Sequence, residues 1–325
     1  MNKKLLLGTL AAVLLAAVIL PGLQNRQQSR TEFLMDTYVT ITAPRSAAQT
    51  VDACFAEIAR LEHLLSAYRE DSEIARVNAE GYGRPAAVSD EVFALLQRAQ
   101  QLSAATDGAF DITVKPLIDL WDIRSGQNTV PSGDAIAAVL PSVGYEKLAL
   151  DEETKTVRFL APGMGIELGA IAKGYAGDRV REILESAGVE GAIVDLGGNI
   201  VTTARKDGKP WRIGLQDPDQ PRGSYFTTVE SAGGSVVTSG PYERYFEKDG
   251  KRYHHILDPR TGWPADTGLE SVTVISGDGT LADALSTALF VMGPDAGMAF
   301  AGSSQLQAVF LTDTKEIRYS QTTGG

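Results

Sequence analysis

Between Gly165 and Asn199 the chain passes from a short apolar turn into a helix whose first two turns are crowded with glycine and alanine. It then enters a buried strand that closes on Asp195-Leu196-Gly197-Gly198-Asn199. Small residues where a helix begins let backbone approach a ligand, and the first N–H groups of a helix attract phosphate. Gly169, Ala170 and Gly174 therefore suit a nucleotide, with Lys173 supplying positive charge. Small residues at Ala170, Gly174 and Gly177 equally suit tight packing of the helix on a sheet. The local pattern leaves both readings open.

Elsewhere the pattern changes period several times. Phe33 to Thr42 alternates Tyr38, Thr40 and Thr42 with Val39 and Ile41, which predicts a strand. Ala47 to Ser66 carries Val51, Cys54, Phe55, Ile58, Leu61, Leu64 and Leu65 at helical spacing. Ser72 is placed to cap a short helix, and Ser89 begins another that runs over Asp90–Thr106 and stops at Asp107-Gly108. Asp134–Leu140 reads as a short helix, and Lys147–Leu150 with Thr156–Leu160 as a hairpin. Trp211–Gln216, Tyr225–Val229, Gly233–Pro241 and Ser271–Ser276 read as strands. A charged hairpin over Tyr245–Tyr253 turns at Lys248-Asp249-Gly250. Thr280–Met292 is an apolar helix ending at Gly293-Pro294, and Ala308–Leu311 with Ile317–Tyr319 forms a last hairpin. Helices and strands are interspersed without regular βαβ alternation. The expected fold is α+β, with mixed or antiparallel sheets and packed helices.

The 325 residues allow one large or two medium domains. The formal charge is −11, and the first 30 residues hold Lys3, Lys4, Arg26 and Arg30 with no acid, so the remainder carries −15. So acidic a body argues against nucleic acid as a partner. Lys3 and Lys4 precede an uncharged run from Leu5 to Gln24. Residues 1–24 read as a signal peptide or an N-terminal membrane anchor, with the body exported to the bacterial periplasm or the outer face of the inner membrane. Residues 25–30 read as a polar linker. Cys54 is the single cysteine, which excludes an internal disulfide and points to a small buried hydrophobe.

Several residues are suited to chemistry. Tyr68 and Arg69 sit in a turn where side chains are free to meet a ligand. Asp111, between apolar residues just after a turn, must find a donor or a ligand. His254 and His255 end a strand, and adjacent strand residues face opposite sides, so at most one points into a site. A histidine there suits the role of proton acceptor for a hydroxyl nucleophile. Asp283 and Thr287 are four apart on one helix face, a hard-oxygen pair suited to Mg²⁺. Thr280-Leu-Ala-Asp283 also matches a capping box, in which Asp283 only reaches back to the backbone.

With these residues in place, the chain resembles the ApbE family of flavin transferases, which move FMN from FAD onto a protein threonine. The matching motifs are Met35-Asp-Thr, Ser66-Ala-Tyr-Arg-Glu-Asp-Ser72, Gly108-Ala-Phe-Asp111, Glu167-Leu-Gly-Ala-Ile-Ala-Lys-Gly-Tyr-Ala176 and Val194-Asp-Leu-Gly-Gly-Asn199, followed by Thr238-Ser-Gly240, His255-Ile-Leu-Asp-Pro-Arg-Thr-Gly262 and Ala282-Asp-Ala-Leu-Ser-Thr287. They run in the family's order. The resemblance implies that residues 31–325 are a flavin transferase domain of ApbE type. It also implies a site for FAD, the substrate, made by Met35, Tyr68, Ala109, Phe110, Asp111, Glu167, Lys173 and Ile256. Mg²⁺ would be held by the backbone oxygen of Ala170, by Asp283, and by groups at Ser286 and Thr287, with His255 as the base. Glu167 stands where Asp is commoner in the family, and Ser286 where some members carry Asp. The implied partner is an acceptor protein with a threonine flavinylation motif, expected to be a membrane redox subunit. An Mg²⁺-dependent FAD pyrophosphatase and a non-catalytic periplasmic FAD-binding protein are the alternatives.

Overall fold

The alternating segment after Gln27 folds back on itself. In the computed structural model, which describes residues 26–320, β1 (Gln27–Leu34) and β2 (Thr37–Pro44) pair antiparallel from Gln27 opposite Pro44 to Leu34 opposite Thr37. Met35 and Asp36 form the turn between them with φ of 51° and 62°. Two left-handed residues match the twist of a tight hairpin, and Asp tolerates that conformation. The single strand expected over 33–42 is thus two strands. The expected linker is also corrected, because from Gln27 onward it is an edge strand whose polar residues face solvent. Ser29 and Thr31 meet Thr42 and Thr40 through hydroxyl contacts of 2.8 Å each. The reading of residues 1–24 lies outside the described residues.

The chain continues through α1 (Ala48–Leu65), α2 (Glu73–Glu80), β3 (Ala86–Ala87), α3 (Asp90–Ala105), α4 (Lys115–Trp121), α5 (Gly133–Val139), β4 (Leu148–Asp151), β5 (Thr156–Phe159) and α6 (Ala172–Ser186). After these come β6 (Ile193–Leu196), β7 (Asn199–Thr202), β8 (Trp211–Gln216), β9 (Tyr225–Ser231), β10 (Gly234–Ser239), β11 (Tyr245–Lys248) and β12 (Lys251–His254). The last elements are β13 (Leu269–Ser276), α7 (Gly279–Met292), α8 (Pro294–Ser303), β14 (Gln307–Thr312) and β15 (Ile317–Tyr319). Eight strands form one sheet in the order β1-β2-β6-β7-β10-β13-β14-β15, with every pairing antiparallel. The fold is α+β.

Helices α6 and α7 pack on each other and on one face of this sheet, and α1 packs beside α6 and against β1 and β2. The β8–β9 hairpin covers the other face, setting Ile213, Leu215 and Val229 against Val236 and Val309. A smaller core joins α4, α5 and the β11–β12 hairpin around Leu117, Trp121, Phe246 and Leu257. Trp121 donates its indole N–H to the Gly262 carbonyl at 2.8 Å, which ties this core to the turn after His255.

The contact between α6 and α7 positions the site. α7 is buried nearly all round, as expected for a helix with apolar residues on every face. A Cβ on Gly174 would lie 2.2 Å from the Gly279 carbonyl oxygen and 2.6 Å from the Asp283 Cβ. Only glycine permits that approach. Asp178 of α6 accepts from the Gly279 and Thr280 N–H groups at 2.7 and 2.8 Å, satisfying the start of α7. For Gly174 and Gly177, packing is therefore the correct reading of the small-residue pattern; Gly177 faces Val201 of the sheet.

Candidate active site

One cavity of about 540 Å³ opens between the α6–α7 contact, the β1–β2 turn and the segment around His255. Met35, Tyr68, Ala109, Phe110, Asp111, Glu167, Ala170, Lys173, His255, Ile256, Asp283 and Thr287 all line it. Of the flavin, metal and base residues that the family resemblance implies, only Ser286 stands apart. It is fully buried, donates to the Asp283 carbonyl at 2.9 Å and lies 2.8 Å from the Ser239 hydroxyl. Ser239 in turn lies 3.2 Å from the Thr287 hydroxyl, so Ser286 supports the cavity wall from behind.

At the inner end, Asp283 is 4% exposed and accepts a hydrogen bond from the Gly174 backbone N–H at 2.7 Å. The capping-box reading is thereby corrected: the N-cap of α7 is Asp278, which accepts from Leu281 N–H at 2.9 Å. Burial raises the Asp283 pKa, and Lys173, then Asn199 and the Gly174 N–H, act against that rise. Asn199, 1% exposed, approaches Asp283 closely enough to favour its ionised form, yet its Nδ2 makes no well-formed hydrogen bond. A buried polar atom without a partner calls for an explanation such as an ion or a water, and Asn199 lines the cavity. The Gly174 N–H, one of the first unpaired donors of α6, is thus satisfied by Asp283, and Ala170 lies just before the helix, where its carbonyl is outside the helical ladder.

These groups suit Mg²⁺ by their chemistry. One carboxylate, the Thr287 hydroxyl and a backbone carbonyl form an all-oxygen set, the kind that holds Mg²⁺ together with water and substrate phosphates. Among the described residues no group of three or more His, Cys, Asp or Glu side chains forms a metal cage. An ion here would be shared with a phosphate-bearing ligand.

The two histidines separate as strand geometry requires. His254 is buried against Phe290, with Nε2 3.2 Å from the Ala265 carbonyl and Nδ1 3.3 Å from the Ile256 N–H. It is structural. Burial holds its pKa down at about 4. His255 faces the cavity, and its Nδ1 lies 3.2 Å from the Arg244 carbonyl. Nδ1 therefore carries the proton and Nε2 is free to accept one. The ring is exposed to the cavity. The surrounding protein, then His254, and then the Arg244 and Lys173 charges hold its pKa below the ordinary imidazole value, against the hydrogen bond to the Arg244 carbonyl, which raises it.

The walls mix aromatic and apolar side chains with charged ones. The Asp111 carboxylate turns inward: it accepts from Thr113 N–H and hydroxyl at 2.7 Å each and from Tyr145 N–H at 2.8 Å, which fixes the Ala109–Asp111 wall. Glu167 accepts from Gly169 N–H at 2.8 Å. The Tyr68 ring lies under Arg124 at 4.9 Å and Lys115 at 5.1 Å. Sequence reasoning missed Asn199 as a site residue, although it closed a glycine-rich motif, and missed Asp36, Arg124 and Arg244, whose spacing carries no signal. It also missed Phe33 and Tyr38, an exposed edge-to-face pair at the cavity mouth with ring centroids 5.4 Å apart.

Comparison with known proteins decides the family. The ApbE family model matches residues 35–310. The chain belongs to the ApbE family. A Klebsiella pneumoniae relative named FAD:protein FMN transferase is 40% identical, the match covering 90% of this chain and 92% of that protein. The crystal structure of an ApbE protein from Thermotoga maritima superposes with a TM-score of 0.85 at 35% identity, covering 91% of this chain and 98% of that one. The apo flavinyl transferase ApbE of Pseudomonas stutzeri gives 0.79 at 34% identity, covering 91% and 95%. The ApbE fold of this chain thus carries both the His255 turn and the Asp283 pocket on one cavity.

Proposed function

We propose that this protein is an FAD:protein FMN transferase that uses Mg²⁺ and delivers FMN to a threonine hydroxyl of an acceptor protein. The observation that carries the reading is the convergence of a histidine with a free Nε2, a lysine and an all-oxygen ion pocket on one aromatic-walled cavity. His255 Nε2 takes the proton from the incoming threonine hydroxyl. The freed oxygen attacks the phosphorus of the FMN half of FAD, and the bond from that phosphorus to the bridging oxygen breaks, releasing AMP. Lys173, beside Asp283, offsets phosphate charge. Mg²⁺ held by Asp283, Thr287 and the Ala170 carbonyl would supply further positive charge at the pyrophosphate. Arg244 keeps the His255 tautomer by accepting from Nδ1.

The acceptor in this reading is a membrane redox subunit bearing a threonine motif, and the protein works in the periplasm or on the outer face of the inner membrane. The lysine-flanked apolar run at the N-terminus supports that placement. No helix among the described residues is long and apolar enough to cross a membrane. Mixing the purified protein with FAD, Mg²⁺ and an acceptor carrying a threonine motif tests the function. Covalent flavin fluorescence on the acceptor band supports transfer. Soluble FMN without labelled acceptor would replace this reading by FAD hydrolysis, and unchanged FAD would replace it by binding alone.

A further inference from the structure

Asp36 lies at the second position of the β1–β2 turn, and a single carboxylate oxygen, Oδ2, serves two arginines from distant segments. Arg124 Nη1 is 3.4 Å away and Arg244 Nη2 is 3.2 Å away. Arg244 Nη2 also donates to the Asp36 backbone carbonyl at 3.0 Å. All three residues line the cavity. Neither pair is bidentate, and the side chains of Asp36, Arg124 and Arg244 are 54%, 41% and 35% exposed. Exposed pairs of this kind contribute little to stability, so exchanging the partner costs little. A guanidinium gains more from two phosphate oxygens held side by side than from half of one carboxylate oxygen.

The two arginines are also placed for substrate. Arg124 lies over the Tyr68 ring at 4.9 Å and within 4.0 Å of Glu167, two side chains of the cavity wall. The Arg244 carbonyl accepts from both the backbone N–H of His255 at 3.1 Å and its Nδ1. Arg244 thus links the Asp36 turn to the residue that carries the base.

We propose that Asp36 is an internal competitor for the diphosphate of the substrate. It holds Arg124 and Arg244 across the cavity mouth in the free protein and yields them to the two phosphates of an entering dinucleotide. The inference rests on the transfer reading above and adds a binding role for three residues. Asp36 sets the affinity by occupying the arginines, and the same carboxylate keeps the mouth drawn together when no dinucleotide is present.

The variant Asp36→Asn removes the charge and keeps the turn, since Asn also favours a left-handed conformation in such hairpins. The backbone contact from Arg244 is retained as well. FAD and, separately, ADP and riboflavin are titrated against the full-length wild type, Asp36→Asn, Arg124→Gln/Arg244→Gln, and the triple variant, with affinity read by calorimetry. The expected result is that Asp36→Asn binds FAD and ADP about 3- to 10-fold more tightly with riboflavin unchanged, that the double arginine variant binds both phosphate ligands more weakly, and that the triple variant shows no gain over the double. Weaker or unchanged FAD binding in Asp36→Asn overturns the proposal, as does a gain that survives in the triple variant or extends equally to riboflavin. Absence of FAD binding to the wild type overturns the transfer reading along with it, whereas wild-type binding without a gain in Asp36→Asn overturns the competition alone.

Discussion

The two ends of the cavity are built on opposite plans. At the inner end, Asp283 on α7 and Asn199 at the start of β7 are buried, beside the point where α6 and α7 touch backbone to backbone at Gly174 and Gly279. At the mouth, Asp36, Arg124 and Arg244 come from a turn and two loops, their ion pairs are exposed, and Phe33 and Tyr38 are 61% and 64% exposed. Groups that must meet developing charge gain from being held in advance in a water-poor setting. Groups that admit a large substrate and a second protein gain from being exchangeable. Substitutions at the inner end should therefore be costly in rate or stability, and those at the mouth should be small and show up in affinity.

The largest effect belongs to His255→Ala. Removing a general base costs about 10²- to 10⁴-fold in rate. FAD affinity, measured by flavin fluorescence, should stay within about 3-fold of wild type, because the ring is held from the Arg244 side and only its Nε2 faces the reaction. Equal losses of rate and affinity would make His255 a binding residue. Asp283→Asn follows. It removes the one charged ligand of the set while preserving shape, and should raise the Mg²⁺ concentration needed for half-maximal rate by about 10- to 100-fold. An unchanged Mg²⁺ titration curve would show that the inner end holds no ion.

A third test uses pH. Burial places the folded-state pKa of His254 at about 4, below its ordinary 6.5. The folded protein binds fewer protons than the unfolded chain between those values, so this contribution is complete above pH 6.5 and is lost as pH falls toward 4. At most about 3 kcal/mol is involved. Denaturant midpoints at pH 7 and 4.5 should differ less in His254→Leu than in wild type. Equal slopes would place the acid sensitivity in the carboxylates instead. Gly174→Ala comes next, at about 1–3 kcal/mol of overpacking. Because the Gly174 N–H holds Asp283, its Mg²⁺ requirement should rise in parallel with the loss of thermal stability.

The inner end was partly legible in the sequence and the mouth hardly at all. Helix α7 stands out because its apolar run is closed by Gly293-Pro294, and the β11–β12 turn because Asp249-Gly250 is chemistry that only a left-handed turn requires. The turn at Met35-Asp36 has the same conformation, but methionine gives no sign of it, so two strands read as one. Gly197-Gly198 read as the close of a buried strand and proved to be the β6–β7 hairpin turn, which hid β7. The partners that define each site residue lie far apart along the chain. Asp283 meets Gly174 across 109 positions, and Arg244 meets Asp36 across 208. No local period encodes such contacts. The family motifs brought the inner residues together because each occurs as a short recognisable string, whereas Arg124 belongs to none.

The smallest effect should come from Phe33→Ala at the mouth. Phe33 and Tyr38 face each other across β1 and β2 as a directly opposed pair, and such cross-strand aromatic pairs contribute about 0.2–1 kcal/mol. Both rings already stand in solvent, so little burial is lost. The denaturant midpoint should shift by no more than that amount, and turnover at saturating FAD and acceptor should stay within about 2-fold of wild type. A fall in stability beyond about 2 kcal/mol would mean that the mouth is as tightly built as the inner end, and the contrast between an inner end held fixed and a mouth free to exchange partners would have to be given up.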